Sequence, residues 1–201
     1  MDNNKNTAAD LEKAIEFAVK AHAGAVRKGT DTPYIVHPIE VMKIVCALTD
    51  DVDVRIAAVL HDTVEDTSTT IDDIADKFGG RVKGLVADES ENKRPDKPER
   101  DTWKTRKEET FEHVEKASEE AKIICLGDKL ANMRDIYRDY HKNGEKLWER
   151  FNAPDDGEGI SGRKRNIGWY YRGIAERLKP ELGETDEWKE LDELVAKVFN
   201  N

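Results

Sequence analysis

Leu11, Ala14, Ile15 and Ala18, with His22 on the same row, recur at three- and four-residue spacing, which predicts an amphipathic helix from about Ala8 to Val26. Arg27-Lys28-Gly29 supplies its stop, because glycine accepts the left-handed conformation that ends many helices. After a loop over Thr30 to Pro33, PIEVMKIVCAL carries Val41, Ile44, Val45 and Leu48 on one stripe, with Pro38 at the favoured first helical position. Val54 to Val64 is apolar nearly all round, the pattern of a central buried helix. Thr70 with Asp73 forms a capping-box signature before Ile71, Ile74, Ala75 and Phe78, and Gly79-Gly80 closes that short helix. Val82, Leu85 and Val86 continue as another helical segment. From Asp88 to Glu120 charge dominates and Pro95 and Pro98 interrupt, so a loop and a solvated helix are expected there, the least ordered stretch of the chain. AKIICLGDKLANMRDIYRDY predicts a second core helix. Asn152 to Ser161 reads as a mobile loop, Ile167 to Leu178 as a helix, Pro180 to Thr185 as a linker, and Leu191 to Val198 as a last helix. No alternation of strand period is persuasive, so the expected fold class is all-α.

Composition narrows the function. Charged residues make up 38% of the 201 positions, well above the roughly 25% of ordinary soluble domains, as long solvated helix faces require. A net charge of −10 disfavours sequence-independent binding to nucleic acid, which depends on Lys and Arg neutralising phosphates. No apolar run reaches the roughly 18 residues of a bilayer span, and MDNNKNTAAD lacks a basic-then-apolar leader. The expectation is a cytoplasmic protein with no nucleic-acid or membrane partner. Cys46 and Cys125 lie in apolar helical contexts without Cys-x-x-Cys spacing, as buried free thiols do.

The candidate chemistry lies in LHDTVEDT. On a helix Asp62 aligns with Asp66, and His61 with Glu65, so four ionisable groups share one wall of the most apolar element. Buried charges need partners, and a divalent cation would turn these carboxylates into ligands. A helix end bearing caps and surface acids is the alternative. His37, at the entry to the preceding helix, and Asp128, inserted in IICLGDKLANMRD, add to the first possibility. For His37 the competing reading is a satisfied core histidine, and for Asp128 an ion pair with Lys129. Taken together, His37, His61, Asp62 and Asp128 form a mixed nitrogen and oxygen donor set suited to Mn²⁺, Fe²⁺ or Zn²⁺ rather than to an all-oxygen calcium site.

His37, the His61-Asp62 doublet and Asp128 resemble the H…HD…D pattern of HD-domain metal phosphohydrolases. AHAGAVRKGTDTPYIVHPIEV, AAVLHDTVEDTSTTIDDIADKFGGRV and LGDKLANMRDI are similar to the hydrolase domain of RelA/SpoT-type alarmone enzymes, and most of all to the small alarmone hydrolases that consist of that domain alone. The resemblance spans roughly residues 10–178, densest over the first 90 and around Asp128. It implies an HD-domain helical bundle over residues 1–180; the tail after Pro180 has no match, and residues 181–201 are expected, from their apolar spacing, as a C-terminal helical extension packed on it.

The resemblance further implies hydrolysis of the 3′-pyrophosphate of (p)ppGpp, giving pyrophosphate and GDP or GTP. The four metal ligands would be His37, His61, Asp62 and Asp128, with Mn²⁺ the usual ion and Zn²⁺ or Fe²⁺ as alternatives. Glu65 and Asp66 match the acidic pair that orients and activates the attacking water, and Arg27 and Lys28 match residues flanking the base. Asn132 matches a nucleoside contact. Lys104 and Arg106 in WKTRK and Arg165 in SGRKRN are candidates for the pyrophosphate, and Tyr170 for packing beside the nucleoside. One departure is Asp135, three residues after Asn132, where long bifunctional enzymes often carry Thr. Alternative readings are an HD phosphohydrolase for (p)ppApp or another phosphorylated nucleotide such as NADPH, and a catalytically silent alarmone sensor. The presence of all six metal and acid residues argues against the last.

Overall fold

The computed structural model describes residues 6–90, 94 and 96–200, and among these it is helical with no strand, only an isolated antiparallel bridge between Val26 and Pro33. The elements in order are α1 (Ala8–Ala21), α2 (Val36–Leu48), α3 (Val52–Leu60), α4 (Thr63–Asp66), α5 (Ile71–Phe78), α6 (Gly80–Glu89), α7 (Glu99–Lys116), α8 (Glu119–Asn143), a 3₁₀ segment (Gly144–Arg150), α9 (Ile160–Leu182) and α10 (Asp186–Phe199). They divide into two compact units: one holds residues 1–90 and 118–128, the other 91–117 and 129–201.

In the first unit α3 is central, and α1, α2 and α6 pack on it. Val54, Ile56, Ala57, Ala58, Val59 and Leu60 are all fully buried, which is why that stretch is apolar on every side rather than striped. Gly127 of α8 meets α2 closely, since a Cβ there would lie 3.0 Å from the Val45 Cγ2. Thr70 and Asp73 form the reciprocal capping box that the sequence suggests, and Gly79 follows α5 with φ of +89°. In the second unit α9 is central, with α7, the 3₁₀ segment and α10 packed on it. Trp188 of α10 donates its Nε1–H to the Ala175 carbonyl at 2.9 Å. Gly173 lets α7 approach, because a Cβ there would come within 2.3 Å of Phe111 Cζ.

Several boundaries differ from expectation. α1 ends at Ala21, not Val26. Gly24 takes a φ of +82°, and residues 25–34 fold into a small hairpin-like loop in which Arg27 N–H donates to Thr32 O at 2.8 Å and Tyr34 N–H to Ala25 O at 2.9 Å. Arg27 and Lys28 therefore sit in that loop and not at a helix end. Pro38 is the third residue of α2, where its missing N–H is still one of the unpaired donors of the first turn. The long apolar helix breaks at His61-Asp62, and only a short α4 follows. The charged stretch is no purely solvated helix: Thr102, Trp103, Arg106, Phe111 and Val114 of α7 are buried. α9 runs through Pro180 to Leu182, since a proline that close to the end removes only one late hydrogen bond. Pro98 precedes α7 directly, whereas Pro95 lies outside the described residues.

Candidate metal centre

At the break after α3, side chains take over backbone acceptors. Thr63 donates its hydroxyl to Leu60 O at 2.6 Å, and His61 Nδ1 lies 2.9 Å from Ala58 O. A donating Nδ1–H fixes the imidazole so that its Nε2 lone pair faces away from the helix. That Nε2 is buried and has no hydrogen-bond partner, although it stands 3.0 Å from Asp62 Oδ2. His37, buried in the first turn of α2, brings its Nε2 to 3.2 Å from Asp128 Oδ1 and 3.5 Å from Asp62 Oδ2. Asp128 reaches the same point from the end of the α8 portion in the first unit, buried and 3.8 Å from His61 Nε2.

His37, His61 and Asp128 thus offer ligand atoms that all lie within 4.8 Å of one another. Asp62 joins them through its Oδ2, between both imidazoles. Two nitrogens and two carboxylates, mostly dry and with one imidazole nitrogen unpartnered, fit a divalent transition-metal ion. The local field agrees. Burial pushes the His61 imidazolium down, but Asp62 and then Asp128 override it and raise its pKa to about 10. Burial likewise opposes ionisation of Asp62, yet the facing His61 and His37 hold its carboxyl well below the usual range. A site that retains a proton so strongly is one whose field favours a bound cation.

The acids of α4 lie at the rim. The Asp66 amide donates to Asp62 O at 2.9 Å, so the helical register between these two acids survives the break. Asp66 is exposed and Glu65 half-buried. Two residues that the sequence reading left out of the site belong to it. Tyr34 donates its hydroxyl to Asp62 Oδ2 at 2.6 Å and also stands 3.0 Å from Asp66 Oδ2. His22, buried, packs its ring against Tyr34 with centroids 4.9 Å apart. The signal available for Tyr34 was its place three residues before His37, as an aromatic in an otherwise polar loop.

The remaining candidates divide. Arg27 holds its guanidinium carbon 5.6 Å from the centre of the Tyr34 ring, while Lys28 is exposed in the same loop. Asn132 is half-buried on α8, one turn beyond Asp128. In the second unit, Tyr170 is buried with Phe111 stacked on it at 5.8 Å, and Lys107 and Lys129 lie 4.8 and 5.7 Å from its ring centre. Lys104 is exposed, its ammonium 5.8 Å from the Trp169 ring. Arg106 is buried and turned toward Glu99, with Nη2 3.4 Å from the Glu99 carbonyl oxygen. Arg165 is paired with Glu158 and with Asp156 at 3.3 Å in its own neighbourhood.

A family model described as an HD domain matches residues 14–157. The mouse protein named guanosine-3′,5′-bis(diphosphate) 3′-pyrophosphohydrolase MESH1 is 42% identical over 134 residues, 65% of this chain and 72% of the mouse protein. A solved structure described as a metazoan ortholog of SpoT that hydrolyzes ppGpp superposes with a TM-score of 0.75 at 28% identity, covering 96% of this chain and 97% of that one. The crystal structure of lmo0812 from Listeria monocytogenes superposes with a TM-score of 0.65 at 31% identity, covering 85% and 99%. With a match over most of its length and the His and Asp residues of the motif gathered at one point, the chain belongs to the HD-domain family.

Proposed function

We propose that this protein is a metal-dependent (p)ppGpp hydrolase that removes the 3′-pyrophosphate, yielding pyrophosphate and GDP or GTP. The observation that carries the reading is the convergence of His37, His61, Asp62 and Asp128 at one buried point, with Asp66 tied to it through Tyr34. The activity named for MESH1, and for the structure described as an ortholog of SpoT, supports the substrate. His37, His61, Asp62 and Asp128 would hold the cation, with Mn²⁺ as the proposed ion. When bound, such an ion makes water more acidic and offsets charge on the phosphoryl oxygens.

The chain's own groups do the rest. Glu65 and Asp66, partly open to solvent, orient the attacking water and accept its proton as the oxygen bonds to the 3′-phosphorus. The bond from that phosphorus to O3′ breaks, and O3′ leaves protonated as the free 3′-hydroxyl. Arg27 and Lys28 flank the base, where a guanidinium plane stacks on a purine. Asn132 contacts the nucleoside, Tyr170 packs beside it, and Lys104, Arg106 and Arg165 are the candidates for the phosphates. Of these, Arg165 must first give up Asp156 and Glu158. Among the described residues no helix is long and apolar enough to cross a membrane, and the cytoplasm is the compartment this reading assigns.

The test is incubation of the Mn²⁺-loaded protein with ppGpp, ppApp and NADPH in parallel, with chromatographic separation of products. GDP and pyrophosphate from ppGpp are expected. Turnover confined to ppApp or NADPH would replace the substrate, and binding of ppGpp without turnover would make the protein a sensor.

A further inference from the structure

One polar group near the metal centre has no part in the chemistry above. Tyr34 reaches the site from the loop before α2, and its hydroxyl touches both a ligand candidate, Asp62, and a rim acid, Asp66. A phenol has a single proton to give, and it faces two carboxylate oxygens at 2.6 and 3.0 Å. Unbridged, those like charges would drive the two side chains apart. The ring is held from several sides. His22 packs on it at 4.9 Å, His37 meets it edge-on at 6.0 Å, and the Arg27 guanidinium lies 5.6 Å from its centre. Its backbone is fixed too, since Tyr34 N–H donates to Ala25 O and Tyr34 O accepts from the amide of His37 at 3.0 Å.

We infer that Tyr34 is a positioning residue: its hydroxyl clamps Asp62 to Asp66, setting the ligand oxygen toward the two imidazoles and the rim acid toward the water. This rests on the proposed assignment of Asp62 as ligand and Asp66 as proton acceptor. Partners of this kind, one bond out from a metal, typically contribute about 10–100-fold in metal affinity or activity.

Tyr34→Phe removes one oxygen and keeps the ring. Mn²⁺ affinity, read from the free-ion electron paramagnetic resonance signal, is expected to fall about tenfold. At saturating Mn²⁺, kcat for ppGpp should fall about 10–100-fold while KM stays within about twofold, a split that a packing defect would not produce. In an Asp66→Ala background, Tyr34→Phe should add little further loss in kcat, as expected of residues acting as one unit. Wild-type Mn²⁺ affinity together with wild-type kcat in Tyr34→Phe overturns the inference, as does a full multiplicative loss in the double variant. A lowered thermal midpoint with normal kcat per Mn²⁺-saturated enzyme also overturns it, by reducing Tyr34 to a packing residue. If the wild type turns over no nucleotide, the proposed function fails, and the Mn²⁺ titration still decides the clamp between Tyr34 and Asp62.

Discussion

His61 keeps its Nδ1 2.9 Å from the carbonyl oxygen of Ala58, one turn back on the same helix, and so aims its buried, unpartnered Nε2 at the cluster formed by His37, Asp62 and Asp128. The backbone of α3 thereby chooses the tautomer that can bind a cation. Removing a carboxylate from such a set should cost more than the 10–100-fold or so typical of outer-shell partners. Asp128→Ala and Asp62→Ala are expected to lose bound metal and turnover together. Full metal occupancy and full turnover in Asp128→Ala, measured by elemental analysis and product release, would exclude Asp128 from the donor set.

The rim acids should behave differently. Glu65→Gln and Asp66→Asn keep the shape of each side chain but remove a proton acceptor, so Mn²⁺ content and nucleotide binding should persist while kcat falls by about 10²–10⁴. A parallel loss of metal would identify them as ligands instead. Because Asp66 also faces the Tyr34 hydroxyl, its variant is expected to lose the more of the two.

Much of this arrangement was legible in the chain, and the parts that were not share a cause. Apolar spacing located the helices because burying a stripe is what stabilises them. It could not locate their ends where polar side chains compete for backbone acceptors. The break after Leu60 comes with Thr63 and His61 bonding to Leu60 and Ala58 carbonyls, in a stretch that helical periodicity carries on to Val64. The early end of α1 reflects the pairing of residues 25–34 into a loop, a contact that periodicity does not record. The motif residues were visible because histidine and aspartate are conspicuous in apolar surroundings. Tyr34 and His22 were not, since an aromatic in a loop and a histidine on a helical stripe each have an ordinary explanation. The division of the chain within α8 was hidden as well, because buried apolar residues stand on both sides of Asp128, Ile123 to Leu126 before it and Leu130, Ala131, Met133 and Ile136 after it.

Packing between α7 and α9 gives a prediction independent of chemistry. A methyl at Gly173 would fall 2.3 Å from Phe111 Cζ. That ring cannot easily withdraw, with Tyr170 stacked on it and the Arg177 guanidinium 4.1 Å from its centre. Gly173→Ala should cost about 1–3 kcal/mol, which lowers the thermal midpoint by roughly 2–12 °C in a chain of this size. Pairing it with Phe111→Leu should recover part of the loss. An unchanged midpoint in the single variant would contradict the close approach.

Acid should weaken the protein in a defined window. Asp10 is lowered from its ordinary 3.8 to about 2, chiefly by the Lys13 ammonium and then by the Thr7 amide and hydroxyl. Arg81 lowers Asp51 in the same direction against the opposing effect of burial, and Thr70 lowers Asp73. A carboxyl more acidic in the folded state than in the unfolded contributes stability above its unfolded pKa, and that contribution is lost as pH falls through the folded value. The thermal midpoint should therefore hold from neutrality to about pH 4, then fall between about 3.8 and 2. Asp10→Asn should be less stable than wild type at neutral pH and equal to it near pH 2. A difference that is constant across the titration would mean the carboxylate charge is not what matters.

The Arg27 loop carries the final prediction. At a helix C-terminus, Arg27 and Lys28 would have contributed a favourable charge to the helix dipole, but α1 ends at Ala21 and the two residues stand in the loop that delivers Tyr34. The dipole explanation for two adjacent basic residues is thereby removed. The guanidinium carbon lies 5.6 Å from the centre of the Tyr34 ring, and a guanidinium plane can also stack on a purine. Stacking on a purine is shared by the ground and transition states, so Arg27→Ala should raise KM for ppGpp with a smaller change in kcat. Stability should move by no more than about 0.5 kcal/mol, as for other surface substitutions. KM and thermal midpoint measured on the same variant separate the roles: a lowered midpoint with unchanged KM for both ppGpp and ppApp would make Arg27 a brace for Tyr34 and remove it from the nucleotide site.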